Sequence, residues 1–288
     1  MAQGSPLGVL LLLLAGWVAH ATAQTPTAST PAVHLTAAEI MARVAANQDR
    51  SEVLRSQYLY SQHIHVVSRK TNRHLMREET ANYQVSPEPG GFKRTLTQLT
   101  GKCLSKGKYL TYAGEPIPEP ETLDASLVRS FREDLTDDKS KDGLGRDLFP
   151  LTTEEQKKYE FKLQDEQTVN NRSVYHLTFA PKQKSDGDWA GDAFIDREDF
   201  EPVAVSTKLA QRIPFVARTL LGTDLPGLGF SVTYQRQPDG VWFPATFGTE
   251  FRLHALFFIN RDISLSLENS QFEHTHVDSK MTYLGPIQ

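Results

Sequence analysis

The chain has 288 residues, a formal net charge of −4, 39% hydrophobic and 23% charged residues. That composition argues against a disordered chain. The negative balance argues against nucleic acid or a polybasic membrane contact, since no excess positive field is available to hold phosphates.

At the N-terminus, Leu7 to Ala19 carries no charge but falls short of the roughly 20 apolar residues that cross a bilayer. Ala21-Thr22-Ala23 follows as an A-x-A pattern suited to signal peptidase. Residues 1–23 therefore read as a signal peptide, cleaved after Ala23. Met1 to Pro6 lacks the usual Lys or Arg, and an uncleaved anchor is the alternative. Cys103 is the only cysteine, so no internal disulfide forms and no acceptor for a lipid anchor follows the cleavage site. It reads as a small hydrophobe, not a reactive thiol. The expected product is an exported protein without a cofactor.

Residues 24–34 are a Thr/Pro/Ala linker, and one domain is expected over 35–288. Thr36-Ala37-Ala38-Glu39 is a capping box that opens a helix. Ile40, Met41 and Val44 recur at helical spacing, and the helix extends to about Arg55, with a break allowed near Asn47 to Asp49. From Gln57 the period becomes two. Tyr58, Tyr60, Gln62, Ile64 and Val66 share one face of a strand. Arg73 to Val85, Phe92 to Leu99 and residues 107–113 continue the series, with Pro87 to Gly91 as a turn.

Gly114 to Thr153 carries Pro116, Pro118 and Pro120, a helical piece near Leu123 to Leu135, and a polar run from Asp137 to Asp147. It reads as a long surface excursion of the same domain. Strands resume at Tyr159 and at Ser173 to Phe179, with Asn170-Asn171 as the turn. Trp189 to Lys208 is a hairpin turning at Arg197 to Pro202. Gln211 to Leu228 breaks the pattern. Phe230, Val232 and Tyr234 restart it, and Pro238-Asp239-Gly240 turns into a long strand from Trp242 through Phe257. Asn260-Arg261-Asp262 reads as the next turn, and the final strands hold Ile263, Leu265, Leu267, then Phe272, His274 and His276.

His63-x-His65 and His274-x-His276 could each chelate a metal, because residues two apart on a strand share a face. Both pairs fit the polar face of their strands better. The chain also lacks the strand–helix alternation that accompanies the amidohydrolase HxH. Asp138 to Gly143 fails the calcium-loop template, since Phe149 stands where a bidentate Glu is required. No G-x-S-x-G, G-x-G-x-x-G or P-loop is present. The apolar, Gly-rich stretch Ile213 to Phe230 is either a core-packing connection or the mouth of an apolar cavity.

In order and spacing, several short motifs carry a resemblance. They are Ala38-Glu39-Ile40, Tyr58/Tyr60, Leu148-Phe149-Pro150-Leu151, Trp189-x-Gly191 to Ile195-Asp196, Pro202-Val203, and Asp239-Gly240-Val241-Trp242-Phe243-Pro244. On these the chain resembles the LolA/LolB/RseB-like superfamily of periplasmic lipoprotein-sorting and sensing proteins, and within it a branch of outer-membrane lipoprotein-sorting type. The resemblance implies an α+β, mainly β fold: a curved antiparallel half-barrel with helices on its concave side. It also implies a monomeric, periplasmic, non-enzymatic protein whose partners are acyl lipids or lipoproteins. The lining residues expected are Tyr58, Tyr60, Ile64, Trp189, Ile195, Phe230, Val232 and Phe251, with Leu220, Leu221 and Leu225 at the mouth. No residue matches the arginine that governs opening in LolA-type carriers. Two other readings stand beside this one: an envelope scaffold or sensor docking a protein partner, and a metal-dependent hydrolase using the paired histidines.

Overall fold

A computed structural model describes residues 35–88, 91–114, 122–136, 150–183, 189–210, 228–255 and 259–275. Helix α1 covers Ala37–Arg55. Its start is fixed by the expected capping box: the Thr36 hydroxyl accepts from the Glu39 N–H, and the Glu39 carboxylate accepts from the Thr36 N–H. No break interrupts it at Asn47 to Asp49. Four strands follow: β1 (Tyr58–Arg69), β2 (Leu75–Glu88), β3 (Gly91–Ser105) and β4 (Lys108–Ala113). Helix α2 (Leu123–Thr136) and a single turn, α3 (Thr153–Gln156), precede the rest of the strands. These are β5 (Tyr159–Val169), β6 (Arg172–Pro181), β7 (Trp189–Asp196), β8 (Pro202–Leu209), β9 (Gly229–Arg236), β10 (Trp242–Ala255) and β11 (Ile259–His274).

All the described strands form one open antiparallel sheet in the order β4-β3-β2-β1-β11-β10-β9-β8-β7-β6-β5. The sheet is strongly curved, and α1 shows why. The helix lies against both β10 and β5. On a flat sheet those strands would stand about 24 Å apart at ~4.8 Å per step, twice the ~10–12 Å width of a helix. The sheet must therefore curl around α1. Bulges at Leu59/Ser61, Asn82/Tyr83, Leu163/Asp165, Phe194/Ile195 and Pro244/Thr246 supply local bends. The result is the half-barrel, with both long helices on its concave side.

Two expectations change. The excursion over 114–153 is not wholly at the surface. Val128 of α2 is 1% exposed and Leu151 is 4% exposed, both within the main core, because a concave face this wide needs more cover than α1 alone provides. The turn expected at Asn260 to Asp262 is strand instead, since β11 pairs Asp262 with Arg252 and Asn260 with His254. These polar residues mark cross-strand partners, not a loop. Residues 256 and 257, expected in the strand, lie outside the described residues.

Candidate functional site

The concave face carries one continuous apolar cluster that reaches from β3 to β5. Ile64, Ile195 and Val232 lie at its heart, packed with Ile40, Met41 and Val44 of α1 and with Val128 of α2. A glycine lets a neighbour close in: the Tyr112 ring sits 2.0 Å from where a Cβ on Gly101 would stand, so a larger residue there would require the ring to shift.

Toward the open side, the floor is aromatic. The Trp189 and Phe230 rings meet edge to face at 5.0 Å, and Phe230 stacks on Phe247 at 5.4 Å. Trp189 and Phe230 are only half-buried. Farther along, Phe251 meets Phe131 of α2 edge to face at 5.8 Å and packs with Leu253, Ile263 and Leu228. Phe247 and Phe131 belong to this floor although the sequence singles out neither. Phe247 shows only in the alternation of its strand, and Phe131 only in the helical spacing of Leu127, Phe131 and Leu135.

Tyr58 and Tyr60 fall elsewhere. They join Val85, Val241, Phe243 and Phe272 in a separate aromatic cluster at the other end of the strands. Gln62, buried between Tyr60 and Ile64 on the same strand, donates to Asn269 at 3.1 Å, and Asn269 donates to the Pro244 carbonyl at 3.0 Å. This polar layer parts the two apolar regions. The Tyr58 hydroxyl bonds Asp239, and burial together with that carboxylate raises its pKa. Leu220, Leu221 and Leu225 lie outside the described residues.

A second buried polar group pins α1, which the sequence shows only as polar residues continuing the helix's apolar stripe. Glu201, at the end of the β7–β8 turn, accepts from Gln48 and, at 3.1 Å, from Ser51. Arg55 donates to Gln48 at 3.0 Å and to the Trp242 carbonyl at 2.7 Å. Asn47 donates to the carbonyls of Asp199 and Phe200 in the same turn. Burial pushes the Glu201 carboxyl up, and Arg55, Ser51 and Gln48 offset only part of that. Asp196, five positions earlier, goes the other way. Burial would raise it, but the N–H groups of Asp199 and Glu198 and the Arg172 guanidinium hold it below its ordinary value.

Helix α2 is held by charge. Asp124 accepts from Ser68 at 2.6 Å and from Arg261 at 2.7 and 3.0 Å. Arg132 pairs with the buried Glu79, which also accepts from the Tyr112 hydroxyl at 2.7 Å.

Among the described residues, His63, His65 and His274 are not assembled into a ligand set. His63 bonds Asn82 at 2.6 Å and His65 bonds Glu78 at 2.9 Å. His274 is exposed, and its ring meets Tyr58 edge to face at 5.0 Å. His276 and Asp138 to Gly143 lie outside the described residues. Among the described residues no group of three or more His, Cys, Asp or Glu is placed to hold a metal ion, and no helix is long and apolar enough to cross a membrane.

No family model matches the chain, and no curated protein sequence does. In three dimensions it is similar to a DUF1329 family protein from Desulfovibrio piger, at 10% identity and a TM-score of 0.39 over 86% of this chain and 96% of that one. It is also similar to a LolA superfamily protein from Nitrosomonas europaea, at 11% identity and a TM-score of 0.34 over 85% and 96%. It is similar as well to the lipoprotein LppX of Mycobacterium tuberculosis, at 13% identity and a TM-score of 0.26 over 83% and 98%. The likeness is one of outline, and the chemistry of the site is read from this chain's own side chains.

Proposed function

We propose that this protein is an exported, periplasmic binding protein that takes an acyl chain of a lipid or lipoprotein onto its concave face, with a place in outer-membrane lipoprotein sorting. The observation that carries this reading is the half-buried aromatic pair Trp189 and Phe230, continuous with Phe247 and with the buried aliphatic cluster behind it. Ligand sites are concave and mainly apolar, and these rings offer apolar surface that α1 and α2 leave partly uncovered.

Binding here is burial, not bond making. A chain of about ten methylenes contributes on the order of 8 kcal/mol gross at ~0.8 kcal/mol per CH₂, before the cost of ordering it. Ile64, Ile195, Val232 and Phe251 form the deeper wall. Tyr58 and Tyr60 contribute at the far end if the chain reaches past Gln62, and Leu220, Leu221 and Leu225 act at the mouth.

The test is native mass spectrometry of residues 24–288 purified from a periplasm without detergent, followed by organic extraction. The expected result is a co-purified acyl lipid that is lost in a folded Phe230→Asp variant. A clean apo mass, or lipid retained by that variant, overturns the reading. The apo mass would direct attention to docking of an envelope protein.

A further inference from the structure

On the outer face of the sheet, where β1, β10 and β11 end, an open groove of about 730 Å³ is lined by Arg69, Arg73, Glu250, Arg252, His254 and Asp262, with Ser264 beside them and Phe251 and Ile263 beneath. The strand register sets its charge. Asp262 is the cross-strand partner of Arg69 on one side and of Arg252 on the other. One carboxylate thus stands between two guanidinium groups. It bonds Arg252 Nε at 2.7 Å. Arg69 is left with no ion pair and no side-chain hydrogen bond among the described residues. The other acid, Glu250, accepts from Ser264 at 3.4 Å.

Arg73 adds a second unpaired cation. It lies in the β1–β2 turn, closed by Lys70 N–H to the His74 carbonyl at 2.9 Å and Arg73 N–H to the Lys70 carbonyl at 2.8 Å. Its φ is +67°, in the left-handed region. A non-glycine residue there costs roughly 1–2 kcal/mol, and asparagine tolerates it better. Arginine is thus a poor choice for the turn itself. Its side chain makes no ion pair within the described residues. In a chain whose net charge is −4, two unneutralised guanidinium groups at one concavity call for an anion.

We propose that this groove binds a phosphate-bearing anion, anchored by Arg69 and Arg73. The planar guanidinium fork matches phosphate oxygens in paired hydrogen bonds, while Arg252 is occupied by Asp262. Its two anchoring side chains, Arg69 and Arg73, belong to no part of the concave-face lining, so anion binding can be tested apart from acyl-chain binding. A free phosphate and the headgroup of an anionic phospholipid share this chemistry.

The experiment uses the full chain and a double variant, Arg69→Gln with Arg73→Asn. Asparagine suits the left-handed turn, so the variant is expected to melt no lower than the parent. Inorganic phosphate is titrated by calorimetry. In parallel, the protein is floated with vesicles of phosphatidylglycerol mixed with phosphatidylcholine, and with phosphatidylcholine vesicles alone. Saturable binding in either arm, weakened about ten-fold or more in the variant as expected for lost charge-assisted hydrogen bonds, supports the proposal. Phosphate binding identifies a soluble anion as the source. Flotation only with phosphatidylglycerol identifies a headgroup. Absence of binding in both arms, or binding unchanged in the double variant, overturns it.

Discussion

Helix α1 reaches the sheet through Ile40, Met41 and Val44, each no more than 1% exposed, while α2 brings one comparably buried aliphatic, Val128, and leaves Leu127, Phe131 and Leu135 only partly covered. The polar contacts divide in the same way. Those of α1 centre on one buried carboxyl, Glu201, shared by Gln48 and Ser51 with Arg55 close by. Those of α2 include two arginine–carboxylate pairs, Arg261 with Asp124 and Arg132 with Glu79. One helix is built into the core, and the other is fastened onto it. The concave face is therefore less firmly covered on the α2 side, where Phe131 rests on Phe251.

The largest effect is expected at Glu201. Glu201→Ala removes the buried carboxyl that accepts from both Gln48 and Ser51, and each buried polar group left unsatisfied costs about 1–3 kcal/mol. Urea unfolding should show a lower midpoint with an unchanged slope. A loss near zero would mean that the turn over 196–202 does not pin α1.

A smaller and more local effect is expected from Arg132→Ala. It removes a charged contact worth about 1.5–3 kcal/mol, and the amides of α2 should exchange faster while those of α1 keep their protection. Equal acceleration in both helices would show that they open as one unit and would erase the contrast between them.

Most of the strands were legible because their signal is local: alternation, turn residues and the capping box at Thr36 all act within a few positions. The roles of α2 and Glu201 were not. Val128 and Phe131 lie between a proline-rich entry and a polar run, which read as surface, and only the width of the curled sheet calls them inward. Gln48 and Glu201 are 153 positions apart, so no window of sequence joins them. The candidate lining was legible in part. Ile64, Ile195, Val232 and Phe230 gather as strand parity suggests. Tyr58 and Tyr60 share that parity but end up beyond the Gln62–Asn269 layer, and nothing in a parity argument reports a polar layer.

The smallest effect concerns protons, and it tests whether the α1 anchor is a titrating one. Burial, only partly offset by Arg55, Ser51 and Gln48, raises the folded Glu201 carboxyl above its ordinary value of 4.5. The folded state therefore binds more protons than the unfolded state between those two values. Its contribution to stability is full below the ordinary value and is lost as pH rises through the raised one. Asp196 has the opposite sign. Its folded carboxyl is held below the ordinary 3.8, so its contribution is present above that value and is lost only as pH falls through the lowered one. Measurements kept above pH ~4.5 leave Asp196 ionised in both states and isolate Glu201. Across that range the unfolding midpoint of the parent should decline more steeply than that of Glu201→Gln, which keeps an acceptor for Ser51 but carries no titrating proton. Parallel declines in the two proteins would place the pH dependence elsewhere and leave α1 pinned by hydrogen bonds whose strength does not change with pH.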